Sequence, residues 1–167
     1  MSTAIAHLTY SEEAVSQLAA LMVDVVAGDG SIGFLHPLPF EDASAYWREA
    51  LRDPGRIVFA GRQGGGVAGT VTLHLGTPPN QPHRAEIWKM MVAPAARRAG
   101  LAEALMRAAE QAAMALGRTV LNLDTVQAGP ASRLYERLGW TRVGEIPAYA
   151  LTPLGELTAT TIYFKQL

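Results

Sequence analysis

The chain has 167 residues, 49% of them hydrophobic and 17% charged, with a formal net charge of -1 and no cysteine. Length and composition suit a single globular domain over residues 1–167 with a substantial core, and they exclude long disorder. The near-neutral charge lacks the electrostatic footprint of a general nucleic-acid binder, and the absence of cysteine excludes disulfides, thiolate zinc sites and a cysteine nucleophile. Four scattered histidines, His7, His36, His74 and His83, lack the spacing of a zinc helix, so no metal is expected. The N-terminus has no basic start followed by a continuous apolar core, and no apolar run approaches membrane-spanning length. A cytoplasmic protein without a membrane partner is expected.

Residues 4–8 read as a short strand. Ser11 stands as an N-cap for a helix over 12–26, whose Val15, Leu18, Met22 and Val25 recur at helical spacing before Gly28, Asp29 and Gly30 stop the run. A loop through residues 31–34 and 37–39 leads to a second helix over 41–52, with Ala43, Trp47 and Leu51 as its buried face and Asp53, Pro54 and Gly55 at its end. Strands over 57–61 and 67–75 flank a glycine-rich turn at 63–66, the pattern of a hairpin. A polar, proline-rich connector, 76–83, precedes an apolar strand over 85–92. The short stretch 93–96 follows, and then a long amphipathic helix reaches about Leu116, with Gly117 as its C′ residue. A strand over 119–124 and a short helix carrying Ala131, Leu134, Tyr135 and Leu138 come next. Strands over 141–145 and 160–165 close the chain, separated by a loop through Pro147, Ala148 and Tyr149 and through Pro153, Leu154 and Gly155. This order of elements is mixed α/β.

Between the strand at 85–92 and the long helix lies the run Arg97, Arg98, Ala99, Gly100, Leu101, Ala102. A helix N-terminus carries unpaired backbone N–H groups and partial positive charge, and a glycine there lets the chain approach a phosphate closely. The run therefore reads as a phosphate cradle, with a plain strand-to-helix turn and solvated arginines as the alternative. This R-x-x-G-x-A pattern after an apolar strand, together with the later run from Leu134 to Trp140, resembles the GNAT family of N-acetyltransferases. The resemblance implies an α/β fold with a mixed, mostly antiparallel sheet of about seven strands flanked by about four helices. It also implies acetyl-coenzyme A as cosubstrate. Backbone N–H groups of Arg97, Arg98, Ala99, Gly100, Leu101 and Ala102 would hold the pyrophosphate, and the strand edge at Met91 and Val92 would pair with the pantetheine amides. One of those strand amides could also polarise the thioester carbonyl. Ala102 replaces a glycine common in the family, a change that a backbone-donating cradle tolerates.

Three side chains carry the chemistry that the resemblance implies. Glu86 lies eleven residues before Arg97, the position of a strand glutamate that serves as general base. A glutamate inside an apolar strand is costly to bury unpaired, and partial burial would raise its pKa toward neutrality. Its alternative is a solvent-facing carboxylate paired with Arg84 or Lys89. Asp124 ends the strand at 119–124, where alternation sets Asn122 and Asp124 on one face and Leu121 and Leu123 on the other. It could share proton removal or bind a cationic substrate, or equally cap the loop at 125–127. Tyr135 corresponds to a tyrosine that protonates the departing thiolate, a role suited to a phenol of pKa about 10; packing on the core is its alternative.

The acceptor implied by the resemblance is a small, amino-acid-like amine, with Phe34, Trp88 and Tyr149 as its expected contacts. An aminoglycoside, a polyamine or a protein amine keeps the same chemistry, and a non-catalytic acyl-coenzyme A sensor keeps only the scaffold. A dinucleotide-binding reading is weaker, because the glycine motif lies mid-chain and lacks G-x-G-x-x-G. Relatives in the family often pair as homodimers, and the apolar strand at Ile162, Tyr163 and Phe164 is the expected edge for pairing.

Overall fold

The computed structural model describes residues 4–126 and 129–167. A short strand β1 (Ile5–His7) leads to α1 (Glu12–Ala27), where Ser11 Oγ accepts the backbone N–H of Ala14 at 3.0 Å as the N-cap. Helix α2 (Phe40–Arg52) follows, then the hairpin β2 (Arg56–Gln63) and β3 (Gly66–His74), then β4 (Arg84–Val92). A 3-10 turn (Pro94–Ala96) links β4 to α3 (Leu101–Ala115), after which come β5 (Val120–Val126), α4 (Pro130–Arg137), β6 (Thr141–Leu151) and β7 (Leu157–Gln166). Among the described residues no helix is long and apolar enough to cross a membrane.

All seven strands join one sheet in the order β1-β2-β3-β4-β5-β7-β6, with β4 and β5 its parallel pair. Helices cover both faces. Val15, Leu18, Met22 and Val26 of α1 pack with Ala43, Trp47 and Ala50 of α2 and with Val58 and Met91 of the sheet. On the other face, Leu101, Leu105, Met106, Ala109 and Ala113 of α3, with Leu134, Tyr135 and Leu138 of α4, cover Val71, Leu73, Ala85, Ile87, Leu121 and Leu123. Leu51, expected in the buried face of α2, is only partly buried against the first cluster.

Two irregularities shape the site. The register of β3 on β4 slips between Thr70↔Met91 and Thr72↔Trp88, so β4 carries an extra residue there. Lys89 sits in that bulge with φ +49. Because side chains alternate, the slip exchanges faces. Ala85 and Ile87 point to the α3 side before it, whereas Met91 points to the α1/α2 side after it. The second irregularity lies beside the first. Among the described residues β4 pairs with β5 at Arg84↔Val120, Ala85↔Leu121 and Glu86↔Asn122 alone, and beyond Glu86 the two strands part while each keeps its other neighbour. A cleft opens in the middle of the sheet.

The C-terminal strands correct two expectations. β6 continues through residues 147–149 to Leu151, rather than ending at 145, with a bulge between Ile146↔Thr160 and Ala150↔Thr158; β7 accordingly starts at Leu157. A proline is tolerated there because β6 is the outermost strand and one of its sides needs no ladder partner. Ile162, Tyr163 and Phe164 do not form an edge. β7 inserts between β5 and β6, which buries Tyr163 at 1% exposure and leaves β6 as the free edge.

Candidate active site

The turn from β4 into α3 forms a cradle of backbone N–H groups. Gly100 precedes the helix with φ +78, Arg98 also lies in the left-handed region at φ +63, and no side chain caps the helix start. The first intrahelical bond runs from Ala104 N to Gly100 O, so the N–H groups of Leu101, Ala102 and Glu103 have no helical partner. Arg97, Arg98, Ala99 and Gly100 are exposed. Converging donors, the helix dipole and two arginines make this end of α3 fit an anion. Beside it, no strand pairs with β4 on its β5 side beyond Glu86, so Met91 and Val92 belong to an open strand edge that lines the cleft.

Glu86 faces away from the α3 core, in register with Asn122 on β5 and His74 on β3. Arg84 Nη1 donates to Glu86 Oε1 and to Asn122 Oδ1, while Trp88 Nε1 donates to Glu86 Oε2 at 2.8 Å. Partial burial pushes the Glu86 carboxyl up, as the sequence led us to expect. The hydrogen bonds from Arg84 and Trp88, with the charges of Arg84 and His74, outweigh it and hold the pKa below the ordinary glutamate value. The expected rise is therefore reversed: the pairing with Arg84, the alternative for this residue, is present and acts together with Trp88 and His74.

Asp124 lies two residues beyond Asn122 on the same face of β5, exposed, and accepts from Thr160 Oγ1 at 3.0 Å. Its charge acts on Lys89 of β4 and on Tyr135 of α4, so it stands where the strands part. The loop at 125–127 that it was weighed as capping falls partly outside the described residues. Tyr135 is 4% exposed and packs against Trp140 and Tyr163, with ring centroids 6.1 and 5.7 Å away. Burial, reinforced by Asp124 and Tyr163, pushes its phenol above the ordinary value, so it keeps its proton at neutral pH.

The acetyltransferase (GNAT) family model matches residues 26–140. The chain belongs to that family. It is 41% identical over 103 residues to an uncharacterized N-acetyltransferase from the hisH-hisA intergenic region of Azospirillum brasilense, a match covering 60% of this chain and 61% of that protein. The chain thus aligns with about three fifths of that relative's length. Among solved structures, yncA from Salmonella typhimurium with its cofactor acetyl-CoA superposes with a TM-score of 0.82 at 20% identity, covering 100% of this chain and 95% of that one. A ribosomal-protein-alanine N-acetyltransferase from Brucella melitensis gives 0.81 at 21% identity, over 98% and 99%. An N-acetyltransferase from Staphylococcus aureus Mu50 gives 0.81 at 17% identity, over the same shares. These three show the GNAT fold.

On the α1/α2 side of its sheet this GNAT chain builds an aromatic and cationic wall. Trp88 stacks on His74 with centroids 3.7 Å apart, and Arg56 Cζ lies 5.6 Å from the Trp88 ring and 5.9 Å from that of Tyr46. Phe34 meets Tyr46 edge-on at 5.6 Å, and Lys89 Nζ lies 5.4 and 5.3 Å from the Phe34 and Tyr46 rings. Burial, against the pull of Glu86, sets the His74 pKa below its ordinary value, so the imidazole beside Glu86 is neutral at pH 7. Phe34 and Trp88 both stand in this wall, Phe34 against Tyr46 and Lys89 and Trp88 against His74 and Arg56. Tyr149 does not join them directly: it is exposed on the β6 bulge, though Pro153 O of the following turn accepts His36 N at 2.9 Å and ties that hairpin to the loop carrying Phe34. His74, Arg56 and Tyr46 escaped the sequence reading because they reach the wall from three separate elements. Lys89 did carry a signal, since a lysine inside an apolar strand is as anomalous as Glu86.

Proposed function

We propose that this GNAT chain transfers an acetyl group from acetyl-coenzyme A to the amine of a small, amino-acid-like acceptor, directly, within a ternary complex. The observation that carries the reading is the opening of the sheet between β4 and β5, with the α3 cradle at one end and Glu86 on the far face. Bound cosubstrate supplies the acetyl thioester. The residues fit it: the N–H groups from Arg97 to Ala102 suit a pyrophosphate, and the open edge at Met91 and Val92 suits amide pairing.

Glu86 accepts the proton from the acceptor amine. A carboxylate held below its ordinary pKa is a weak base, so it takes that proton as the new C–N bond forms and the nitrogen turns acidic, rather than stripping a free ammonium. Asp124, exposed at the cleft, shares proton removal or draws the cationic amine inward. Tyr135 gives its proton to the thiolate as the C–S bond breaks; burial raises its pKa and makes it a weaker acid, so the transfer follows the build-up of charge on sulfur rather than preceding it. Phe34, Trp88 and Tyr149 are the acceptor contacts in this reading. We read a resemblance to the tabtoxin resistance protein at residues 30–34, 84–100, 123–125 and 140–165, and from it take the acceptor to be amino-acid-like and the role to be toxin inactivation. The exposed apolar side chains of the β6 edge support a homodimer.

Thiol release from acetyl-coenzyme A, followed against amino acids, tabtoxinine-β-lactam, polyamines and aminoglycosides, tests the reading. Saturable turnover on amino-acid-like amines, cut by about tenfold or more in Glu86→Gln, is expected. Turnover on polyamines or aminoglycosides alone moves the acceptor class. Tight cofactor binding with no turnover on any amine turns the protein into a sensor.

A further inference from the structure

We propose that Lys89 is the specificity-determining residue of the acceptor pocket, its ammonium receiving a carboxylate carried by the amine substrate. The inference rests on the acetyltransferase reading above and deepens it by naming the residue that receives the carboxylate of the acceptor.

Three observations converge on this lysine. First, its Nζ donates to Ile32 O at 2.7 Å and otherwise faces the rings of Phe34 and Tyr46; among the described residues no carboxylate stands within ion-pair distance. An ammonium has three N–H donors, and one backbone carbonyl with two aromatic faces leaves it without a counter-charge. Arg84 and Arg56, the other cations of the wall, are already paired, with Glu86 and with Glu49 and Asp53 respectively. Burial, with the positive charge of Arg56, holds the Lys89 pKa below the ordinary lysine value, and Asp124 opposes that shift.

Second, Lys89 occupies the bulge of β4 at φ +49, where glycine or asparagine is the ordinary occupant. A lysine kept in that backbone conformation is there for its side chain. Gly33 faces it, and a Cβ on that glycine would lie 3.3 Å from Nζ, so the loop wall leaves just the room that the ammonium needs. Third, the hydroxyl of Tyr46, whose ring lies 5.3 Å from Nζ, is shielded from solvent without a hydrogen-bond partner. A donor lacking an acceptor beside a cation lacking an anion is a pair of deficits that one carboxylate removes. Glu86 and Trp88 lie on the same side of the sheet, so the anion and the reacting amine of one small molecule can be held together.

The experiment compares amino acids with their amides, matched in side chain, as acceptors for the wild-type enzyme and for Lys89→Met, Lys89→Gln and Lys89→Arg. Wild type is expected to prefer the carboxylate form by roughly 30-fold or more in kcat/KM. That ratio should collapse toward unity in Lys89→Met and Lys89→Gln, mainly through KM, and survive in large part in Lys89→Arg. A ratio unchanged by either neutral substitution overturns the proposal, and so does a wild type that does not distinguish acid from amide. Should wild type acetylate no amine at all, the acetyltransferase reading fails separately, and the anion site is read by tryptophan fluorescence, with Trp88→Phe identifying the part that comes from Trp88 beside Trp47 and Trp140. Saturable quenching by N-acetyl amino acids but not by their amides, lost in Lys89→Met, upholds the site, and its absence overturns it.

Discussion

Glu86 is held below its ordinary pKa because two donors and two nearby groups outweigh its desolvation. Its ionised form is therefore favoured by folding, a contribution present above the unfolded value of about 4.3 and lost as pH falls through the lower folded value. For catalysis this predicts that the acid limb of kcat/KM in the neutral range reports the acceptor amine rather than Glu86. Profiles measured with amines of different basicity should shift with the amine. Replacing Arg84 by Met removes the Nη1 hydrogen bond and the adjacent positive charge, and leaves Trp88 and His74 alone to oppose burial. The Glu86 pKa should then rise, and a second acid limb should enter the profile from below; an unchanged profile places the catalytic proton elsewhere. The position of Glu86 was legible in the sequence, since a carboxylate among Ala85, Ile87 and Trp88 asks for a reason. The sign of its shift was not, because that depends on where the Arg84 and Trp88 side chains turn, which alternation along a strand leaves undetermined.

Elements were most legible where a local rule fixes them. The Ser11 cap and the apolar stripe of α1 follow from spacing alone, and Ser11→Ala should lower stability by about 1 kcal/mol without altering turnover of the folded enzyme, as denaturant melts and initial rates would record. The α3 cradle joins local geometry to binding. A side chain added at Gly100 would meet open space, yet the residue sits at φ +78, so Gly100→Val is unfavourable through the backbone, by about 1–2 kcal/mol. Calorimetric titration should show a weaker acetyl-coenzyme A complex in that variant, with acceptor KM little changed; equal affinity would take the cradle out of cofactor binding. Less legible was the bulge at Lys89. The run from Ile87 to Val92 contains no glycine, proline or asparagine to announce it, and a one-residue slip is invisible when both faces of a strand are covered. Residues 147–149 misled for the opposite reason, since Pro147 signals a break that an edge strand absorbs.

At the scale of the molecule, the exchange of β6 and β7 is the feature that no local pattern announces. Inserting the last strand beside β5 buries Tyr163 and turns the eleven residues of β6 outward, with Val143 at 63% and Leu151 at 46% exposure and Leu157, the first residue of β7, at 71%. If two copies pair across this edge, sedimentation should give twice the chain mass for wild type and a single chain for Val143→Lys; a wild-type monomer removes the homodimer from the proposed function. The parting of β4 from β5 bears on mechanics as well as chemistry. Among the described residues three β4–β5 pairs, with the Thr119 and Val120 N–H groups on His83 O, stitch the β1–β4 half of the sheet to the β5–β7 half, and they lie at one end of the seam. A pantetheine laid along the open edge would act as a temporary eighth strand. Binding of cofactor should then slow amide hydrogen exchange on both banks of the seam and raise the melting temperature, by about 2.7 kcal/mol of added stability at a hundredfold excess over Kd. Each turnover would zip the two halves together and release them again, making the cosubstrate a transient structural member of the enzyme that consumes it.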